Sequence, residues 1–169
     1  MIRHADLFNR VLGGRRGGGS DGRDGRVMAI TPYLYYRDVD HALRFLAKAF
    51  GFRAYGVKMR GPGGKTSHAA MKLGADVIMM GRPPSAYRNP KQLGQATQSL
   101  YINVADVDKH FRRAQRAGAV ILEVPTDTEY GHRRYGATDP EGHEWYFAQA
   151  IRRRRSKKKV AEGRRRPRG

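Results

Sequence analysis

The feature that most constrains the fold of this chain is an internal repeat with an offset of 68 residues. Residues 30–52 read ITPYLYYRDVDHALRFLAKAFGF, and residues 98–120 read QSLYINVADVDKHFRRAQRAGAV. Two anchors share the offset, since Asp38 matches Asp106 and Gly74 matches Gly142. Because a duplicated unit folds as a repeated module whose copies bury a common core, we predict one domain built from two similar halves.

Each half is predicted to contain one strand, one helix and three further strands. Asp38 and Asp106 precede amphipathic stretches and are expected to be helix N-caps, accepting the first free backbone N–H groups. After each helix the apolar period changes from 3.6 to 2, which indicates strands. The predicted fold class is therefore α+β, with two βαβββ modules at about residues 28–82 and 97–150.

Charge is distributed unevenly along the chain. The formal net charge of +19 comes from 34 Lys and Arg against 15 Asp and Glu, and residues 151–169 alone contribute +10. Residues 1–27 are rich in Gly and Arg and are predicted to be a disordered extension, because they have little to bury. Residues 151–169 are predicted to be a disordered basic tail, since a dense block of like charge repels itself. The folded domain is expected at 28–150.

Several classes of protein are excluded by composition. The chain has no cysteine, which excludes disulfides, thiolate zinc sites, iron–sulfur clusters and a cysteine nucleophile. No apolar run reaches the roughly 20 residues of a membrane helix, and no apolar signal core is evident near the N-terminus. We therefore expect a cytoplasmic protein with no membrane partner.

The basic tail is a candidate for non-specific nucleic-acid binding through release of counterions. No aromatic side chain lies among its charges, so base stacking is not expected. A solvated extension without a role is the alternative. The candidate contacts are Arg152, Arg153, Arg154, Arg155, Lys157, Lys158 and Lys159.

The paired modules and one C-terminal motif carry a family resemblance. That motif reads Tyr130-Gly131, Tyr135, Asp139-Pro140-Glu141-Gly142-His143 and Trp145. With the Asp-Val-Asp helix openings, it resembles the vicinal oxygen chelate superfamily of glyoxalase I, extradiol dioxygenases, fosfomycin-resistance enzymes and bleomycin-binding proteins. The segments Ser67-His68-Ala69 and Asp127–Gly131 are similar to its PhnB-like, glyoxalase-like branch. The resemblance covers about residues 29–150 and implies a cup-shaped mixed sheet with helices outside, and a homodimer.

The resemblance also implies where a divalent metal would be held. The ligand positions on the first and last strands fall on Thr31, Ser99 and Tyr146, with Ile78 or Met79 as the fourth. Hydroxyl, phenol and apolar side chains are poor ligands for such an ion. We therefore predict no metal cofactor. A metal-dependent lyase or dioxygenase, with a divalent ion near His68 and His132, stays open as the alternative.

Strand alternation predicts which side chains face the cup. Ile30, Leu34 and Tyr36 are expected to face the helices. The opposite face, with its tyrosines, suits a planar organic ligand, although the same rings could simply fill a closed interior. The residues expected in the cup by alternation are Thr31, Tyr33, Tyr35, Ser99, Tyr101, Asn103, Glu144, Tyr146 and Ala148.

Three further assignments complete the predicted site. His68 is a candidate ligand contact, and alternation leaves open whether Arg133 and Tyr135 or Tyr130, His132 and Arg134 face the cup. The resemblance favours Arg133 and Tyr135 as ligand-binding residues. Glu144 is a weak candidate for a general base, while His41 and His110 are expected on the helices, outside the cup, as surface or boundary residues. The predicted function is binding of a small organic molecule in a metal-free cup lined by tyrosine, with no reaction assigned.

Overall fold

The computed structural model describes residues 30–151. The predicted N-terminal extension, and the basic tail after Ile151, lie outside the described residues. None of the described helices is long and apolar enough to span a membrane. In chain order the helices and strands are β1 (Tyr33–Tyr35), α1 (Val39–Phe50), β2 (Arg53–Arg60), β3 (Thr66–Leu73), β4 (Asp76–Gly81), α2 (Pro90–Leu93), β5 (Ser99–Asn103), α3 (Val107–Arg116), β6 (Val120–Asp127), β7 (His132–Thr138) and β8 (Glu144–Ala150).

The strands form two four-stranded mixed sheets of identical topology. The first has the order β1-β4-β3-β2 and the second the order β5-β8-β7-β6. In each sheet the first strand pairs parallel with the last, and the remaining pairs are antiparallel. This confirms the predicted α+β fold of two βαβββ modules.

Local capping explains where the helices begin. Oδ1 of Asp38 accepts a hydrogen bond from the backbone N–H of His41 at 2.9 Å, and Oδ1 of Asp106 accepts one from Lys109 at 2.8 Å. Both predicted N-caps are thus confirmed. The short helix α2, in the linker between β4 and β5, was not predicted. The sequence nevertheless contains the residues of its capping box, Asn89 and Gln92.

The two modules share one hydrophobic core. The Phe50 ring at the end of α1 lies 4.8 Å from Phe147 and 5.5 Å from Trp145, both on β8. Phe52 lies 5.6 Å from Trp145. The helix-facing sides of both sheets therefore meet in the same core. The opposite sides, here called the outward faces, lie on the far sides of that core.

A buried carboxylate joins the modules at the Asp-Pro-Glu-Gly-His turn. Asp139 Oδ2 accepts hydrogen bonds from the Tyr36 hydroxyl at 2.6 Å and the Trp145 indole N–H at 3.1 Å, and Oδ1 accepts from the backbone N–H of Glu141 and His143. Burial alone would raise the pKa of Asp139, but the hydrogen bonds from His143, Tyr36 and Trp145 outweigh it and lower the pKa. The turn thereby holds the end of β1 against the second module.

The same turn also fastens the start of α1 and the linker. The Glu141 carboxylate accepts hydrogen bonds from the backbone N–H groups of Arg37 at 3.0 Å and Asp38 at 2.9 Å. It also accepts one from the Asn89 side chain at 2.9 Å. The motif that carried the family resemblance is therefore a structural clamp between the modules.

Candidate functional site

The outward face of the second sheet carries a polar cluster. The Tyr101 hydroxyl lies 2.8 Å from Nδ1 of His132, and the Arg134 guanidinium lies 5.0 Å from the centre of the Tyr146 ring. A Cβ at Gly136 would lie 2.8 Å from the Tyr146 ring. Glycine at this position therefore lets the ring lie flat on the sheet.

Tyr101 is a partly exposed phenol with a hydrogen-bonding partner in this cluster. Its side chain is 45% exposed. Partial burial raises the pKa of Tyr101, the hydrogen bond with Tyr130 raises it further, and Arg134 opposes the shift. The phenol is therefore protonated at neutral pH and offers both a donor and an acceptor to a ligand.

A cleft of about 500 Å³ opens beside this cluster, between the two modules. It is bounded by residues 30–32 before β1, by residues 75–78 at the start of β4, and by residues 100–103 of β5. Its walls combine an apolar floor with a polar rim. The floor consists of Phe52, Leu73, Ile78, Leu100 and Ile102, and the rim includes Thr31, Asp76, Tyr101 and Asn103.

The outward face of the first sheet is a packed aromatic platform. The Tyr33 hydroxyl lies 3.0 Å from Nδ1 of His68, and the Tyr33 and Tyr35 rings meet edge to face at 5.5 Å. Burial and the neighbouring Tyr35 raise the pKa of Tyr33. Met79 and Ala70 are buried beneath these rings. A smaller cavity of about 200 Å³ adjoins Tyr33 and Tyr35.

Strand alternation placed most candidate residues on the correct face. Tyr33, Tyr35 and His68 lie on the outward face of the first sheet, and Tyr101, Asn103, Glu144 and Tyr146 lie on that of the second. A single chain thus brings these residues together in two groups rather than one. Ile30 is an exception to the alternation, because it precedes β1 and is exposed.

The placement expected for Arg133 and Tyr135 is wrong. Arg133 faces the helix side, where it forms salt bridges with Asp108 at 3.1 Å and Asp127 at 2.8 Å. Tyr135 is fully buried in the shared core. The adjacent Arg134, with His132, occupies the outward face instead, which is the other option that alternation left open.

His110 is partly buried at the boundary of the core, one of the two kinds of position expected for it. Its Nδ1 lies 2.6 Å from the Tyr135 hydroxyl, and its Nε2 lies 3.0 Å from the Phe50 carbonyl oxygen. Burial lowers the pKa of His110. The sequence repeat indicates this contact with the core, because His110 corresponds to Ala42, a core residue of α1. His41 is exposed, as expected.

The metal positions implied by the resemblance do not fit a divalent ion. Tyr33 pairs with Met79 and Tyr101 pairs with Tyr146, so Met79 is the counterpart of Tyr146, while Ile78 belongs to the core. A thioether, a phenol and the hydroxyls of Thr31 and Ser99 do not form a binding set for such an ion.

Histidines do not supply an alternative set of ligands in the described part of the chain. His68 and His132 lie on different sheets, and each contacts a tyrosine hydroxyl. Within residues 30–151, no three His, Asp or Glu side chains converge as a metal site would require. We therefore derive no chemistry through a metal.

Two four-stranded βαβββ modules around a shared core define the class of this fold, and comparison with known proteins gives the family. Residues 25–147 match the sequence model of the Glyoxalase/Bleomycin resistance protein/Dioxygenase superfamily. The chain belongs to this superfamily.

Relatives and solved structures agree with this assignment. An uncharacterized protein of Mycobacterium tuberculosis is 32% identical over 152 residues, which cover 83% of this chain and 89% of the relative. The crystal structure of TioX from Micromonospora sp. ML1 matches with a TM-score of 0.60 and 33% identity, covering 73% of this chain and 99% of TioX.

A more distant structure shows the fold alone. A glyoxalase/bleomycin resistance protein/dioxygenase family enzyme from Burkholderia phytofirmans PsJN matches with a TM-score of 0.53 and 22% identity. The match covers 70% of this chain and 95% of that protein.

Proposed function

We propose that this protein binds a small organic molecule with a flat apolar body and a polar or anionic end, in the cleft between its modules. The observation that carries the proposal is that this cleft opens onto the Tyr101 cluster. Its volume of about 500 Å³ lies within the range of ligand pockets. Membership of a superfamily that includes bleomycin resistance proteins supports a binding role.

The floor of the cleft suits the apolar body of such a ligand. Aromatic and branched aliphatic side chains supply the surface, and Tyr101 adds a partly exposed ring at the rim. Burying flat apolar surface against these groups is favourable at roughly 25 cal/mol per Å². A planar ring system gains most from such a slot, because it loses little conformational freedom on binding.

The polar end of the ligand is assigned to the space between Asn103 and Arg134. Both residues are register neighbours of Ala148, which lies between them on β8. The Asn103 amide lies on one side of the buried Ala148 and the Arg134 guanidinium on the other. These are hydrogen-bond donors suited to a carboxylate or carbonyl oxygen. Glu123, at 3.1 Å from Arg134, holds the guanidinium in place.

We assign no reaction to this site. Glu144, the candidate base, begins β8 opposite Ser99 and does not line the cleft. The proposed role is therefore binding without turnover, and a metal-dependent reaction has no suitable ligands at the positions that the family resemblance indicates.

A homodimer, expected from the family resemblance, remains part of the proposal. Tyr35, Tyr101 and Tyr130 on the outward faces are 40%, 45% and 63% exposed, and aromatic rings left open in this way are typical of interfaces. A second copy laid over an outward face would cover them. Light scattering coupled to gel filtration is expected to give the mass of two chains, and the mass of one chain would contradict this part.

Saturation-transfer NMR tests the binding proposal. The probes are benzoate, naphthoate and indole carboxylate, each compared with its primary amide. Naphthoate is expected to bind best, and Tyr101→Ala to raise its Kd at least about tenfold, the equivalent of about 1.4 kcal/mol.

Tyr55→Ala is the matched control, because Tyr55 lies on β2 and does not line the cleft. It should leave the Kd unchanged, and thermal denaturation checks that both variants fold. Equal weakening by the two variants, or binding of none of the probes, would overturn the proposal.

A further inference from the structure

The two long helices present a basic surface to solvent. On α1 the exposed positions carry Arg44 and Lys48, and on α3 they carry Lys109, Arg112, Arg113 and Arg116. We call these six residues the basic helix surface. It is distinct from the cleft and from both outward faces, since the helices lie on the opposite side of each sheet.

Acidic side chains on the same helices do not neutralise this surface. Asp38 and Asp106 are N-caps, Asp40 pairs with Lys58 at 2.7 Å, and Asp108 pairs with Arg133. Among residues 30–151, the salt bridges do not involve any residue of the basic helix surface. Its six cations therefore form no ion pair within residues 30–151.

The charges of the two helices form one continuous surface. The Arg113 guanidinium donates from Nε to the Lys48 carbonyl oxygen at 2.8 Å and from Nη2 to the Ala47 carbonyl oxygen at 2.6 Å. These bonds tie the last turn of α3 to the last turn of α1. At 1.5 Å per residue, Lys109 to Arg116 adds a row of charge about 10 Å long.

The described chain ends after a strand that contacts the first turn of α3. Oε1 of Gln149, at the end of β8, accepts a hydrogen bond from the backbone N–H of Val107 at 3.0 Å. Gln149 is two residues from Ile151, after which residues 152–169 contain eleven Lys and Arg. Gln149 thus lies next to the first turn of α3, on which Lys109 lies.

We propose that the basic helix surface docks the phosphate backbone of double-stranded nucleic acid, without reading its sequence. The Lys and Arg side chains are clustered, and the aromatic residues between them, His110 and Phe111, pack against the core. Such a surface suits phosphate contacts, which carry no sequence information. An anionic membrane fits less well, because interfacial helices insert exposed apolar side chains. The large exposed apolar residues of the described chain do not lie on α1 or α3.

The test uses the full-length chain and a short fluorescein-labelled DNA duplex, followed by fluorescence anisotropy over a range of salt concentrations. The variant is Arg112→Glu with Arg116→Glu, which leaves Arg113 and its helix contacts intact. The matched control is Lys65→Glu with Arg82→Glu, two exposed residues outside the basic helix surface with the same change in charge.

The helix variant is expected to weaken binding at least about tenfold and to reduce the slope of log K against log salt by about 2. The control variant should stay within about threefold of the native Kd. Naphthoate binding by the helix variant should not change, which separates this inference from the proposed ligand site.

Three outcomes would overturn the inference. Equal weakening by both variants would mean that only net charge matters. Unchanged DNA binding by the helix variant would assign all binding to the tail. Tighter binding of the native chain to phosphatidylserine vesicles than to DNA, lost in the helix variant, would assign the surface to a membrane.

Discussion

The two modules use the same tyrosine–histidine pair in different surroundings. Tyr33 and Tyr101 occupy equivalent positions, 68 residues apart, and each hydroxyl lies within hydrogen-bond distance of an imidazole Nδ1 on the third strand of its sheet. In the first module that imidazole, on His68, is only 4% exposed. In the second module Tyr101 itself is nearly half exposed, and its partner is His132.

The difference comes from what surrounds each pair. Met79 and Tyr55 pack the first outward face into an apolar platform. On the second outward face, the small Gly136 leaves room for a ring and the ion pair of Arg134 with Glu123 adds charge. One fold thus supports a structural face and an accessible polar face, and we assign ligand binding to the second.

The largest expected effect is the difference in stability loss between two substitutions, one near the start of the last strand of each module. Asp139→Ala leaves the hydroxyl of Tyr36 and the indole N–H of Trp145 unsatisfied in the core, and should lower the free energy of unfolding by about 3–5 kcal/mol. Asp76→Ala, at the exposed start of β4 in the first module, should change it by less than about 0.5 kcal/mol. Urea denaturation measures both, and similar losses would contradict the clamp.

A smaller difference in stability is expected between alanine substitutions of His68 and His132. His68→Ala removes a buried ring and a partner of Tyr33, and is expected to cost about 2–3 kcal/mol of stability. His132→Ala, on the open face, should cost less than about 0.5 kcal/mol. The comparison of the two modules fails if His132→Ala is the more destabilising substitution in thermal or urea denaturation.

In the pH range where histidine titrates, a further effect is expected from His110 of the second module, because the corresponding Ala42 of the first module does not titrate. The pKa of His110 is lowered in the fold, so below about pH 6.5 the unfolded chain takes up a proton that the folded chain resists. The contribution is fully present above pH 6.5 and is lost as the pH falls towards the folded pKa.

Free energies of unfolding measured from neutral pH down to about pH 5 would test this contribution. His110→Gln should remove this part of the pH dependence, while His41→Gln, at an exposed position of α1, should retain it. Identical pH profiles for the two variants would show that His110 does not titrate in this way.

The smallest expected effect concerns metal. Dialysis against EDTA should leave melting temperature and naphthoate affinity unchanged, because the positions indicated by the resemblance offer hydroxyl, phenol and thioether groups. Elemental analysis after incubation with Zn²⁺, Ni²⁺, Mn²⁺ and Fe²⁺ provides the direct check. One tightly held ion per chain would contradict this expectation.

The sequence predicted the fold through features that act locally. The repeat offset predicted two modules, and the N-caps at Asp38 and Asp106 predicted where the helices begin. Strand alternation predicted which faces carry Tyr33 and Tyr101. These features depend only on neighbouring residues and on the periodicity of the backbone. They therefore carry over from sequence to structure without knowledge of how the modules pack.

The wrong predictions concern side chains whose orientation is set by tertiary packing. Arg133 and Arg134 are adjacent cations, and only the packing of Tyr135 against α3 selects which of them faces outward. The separation of the tyrosines into two groups follows from the contact of Phe50 with Phe147, which joins residues of different modules. No local pattern encodes such a contact.

The most direct test of ligand binding in the cleft is a titration of isotopically labelled protein with naphthoate, followed by backbone amide NMR. Shifts are predicted to concentrate at Thr31 and along Leu100–Asn103, with smaller changes near Arg134. Shifts centred on Tyr33 and Tyr35, on the first outward face, would contradict the assignment of binding to the cleft and the second module.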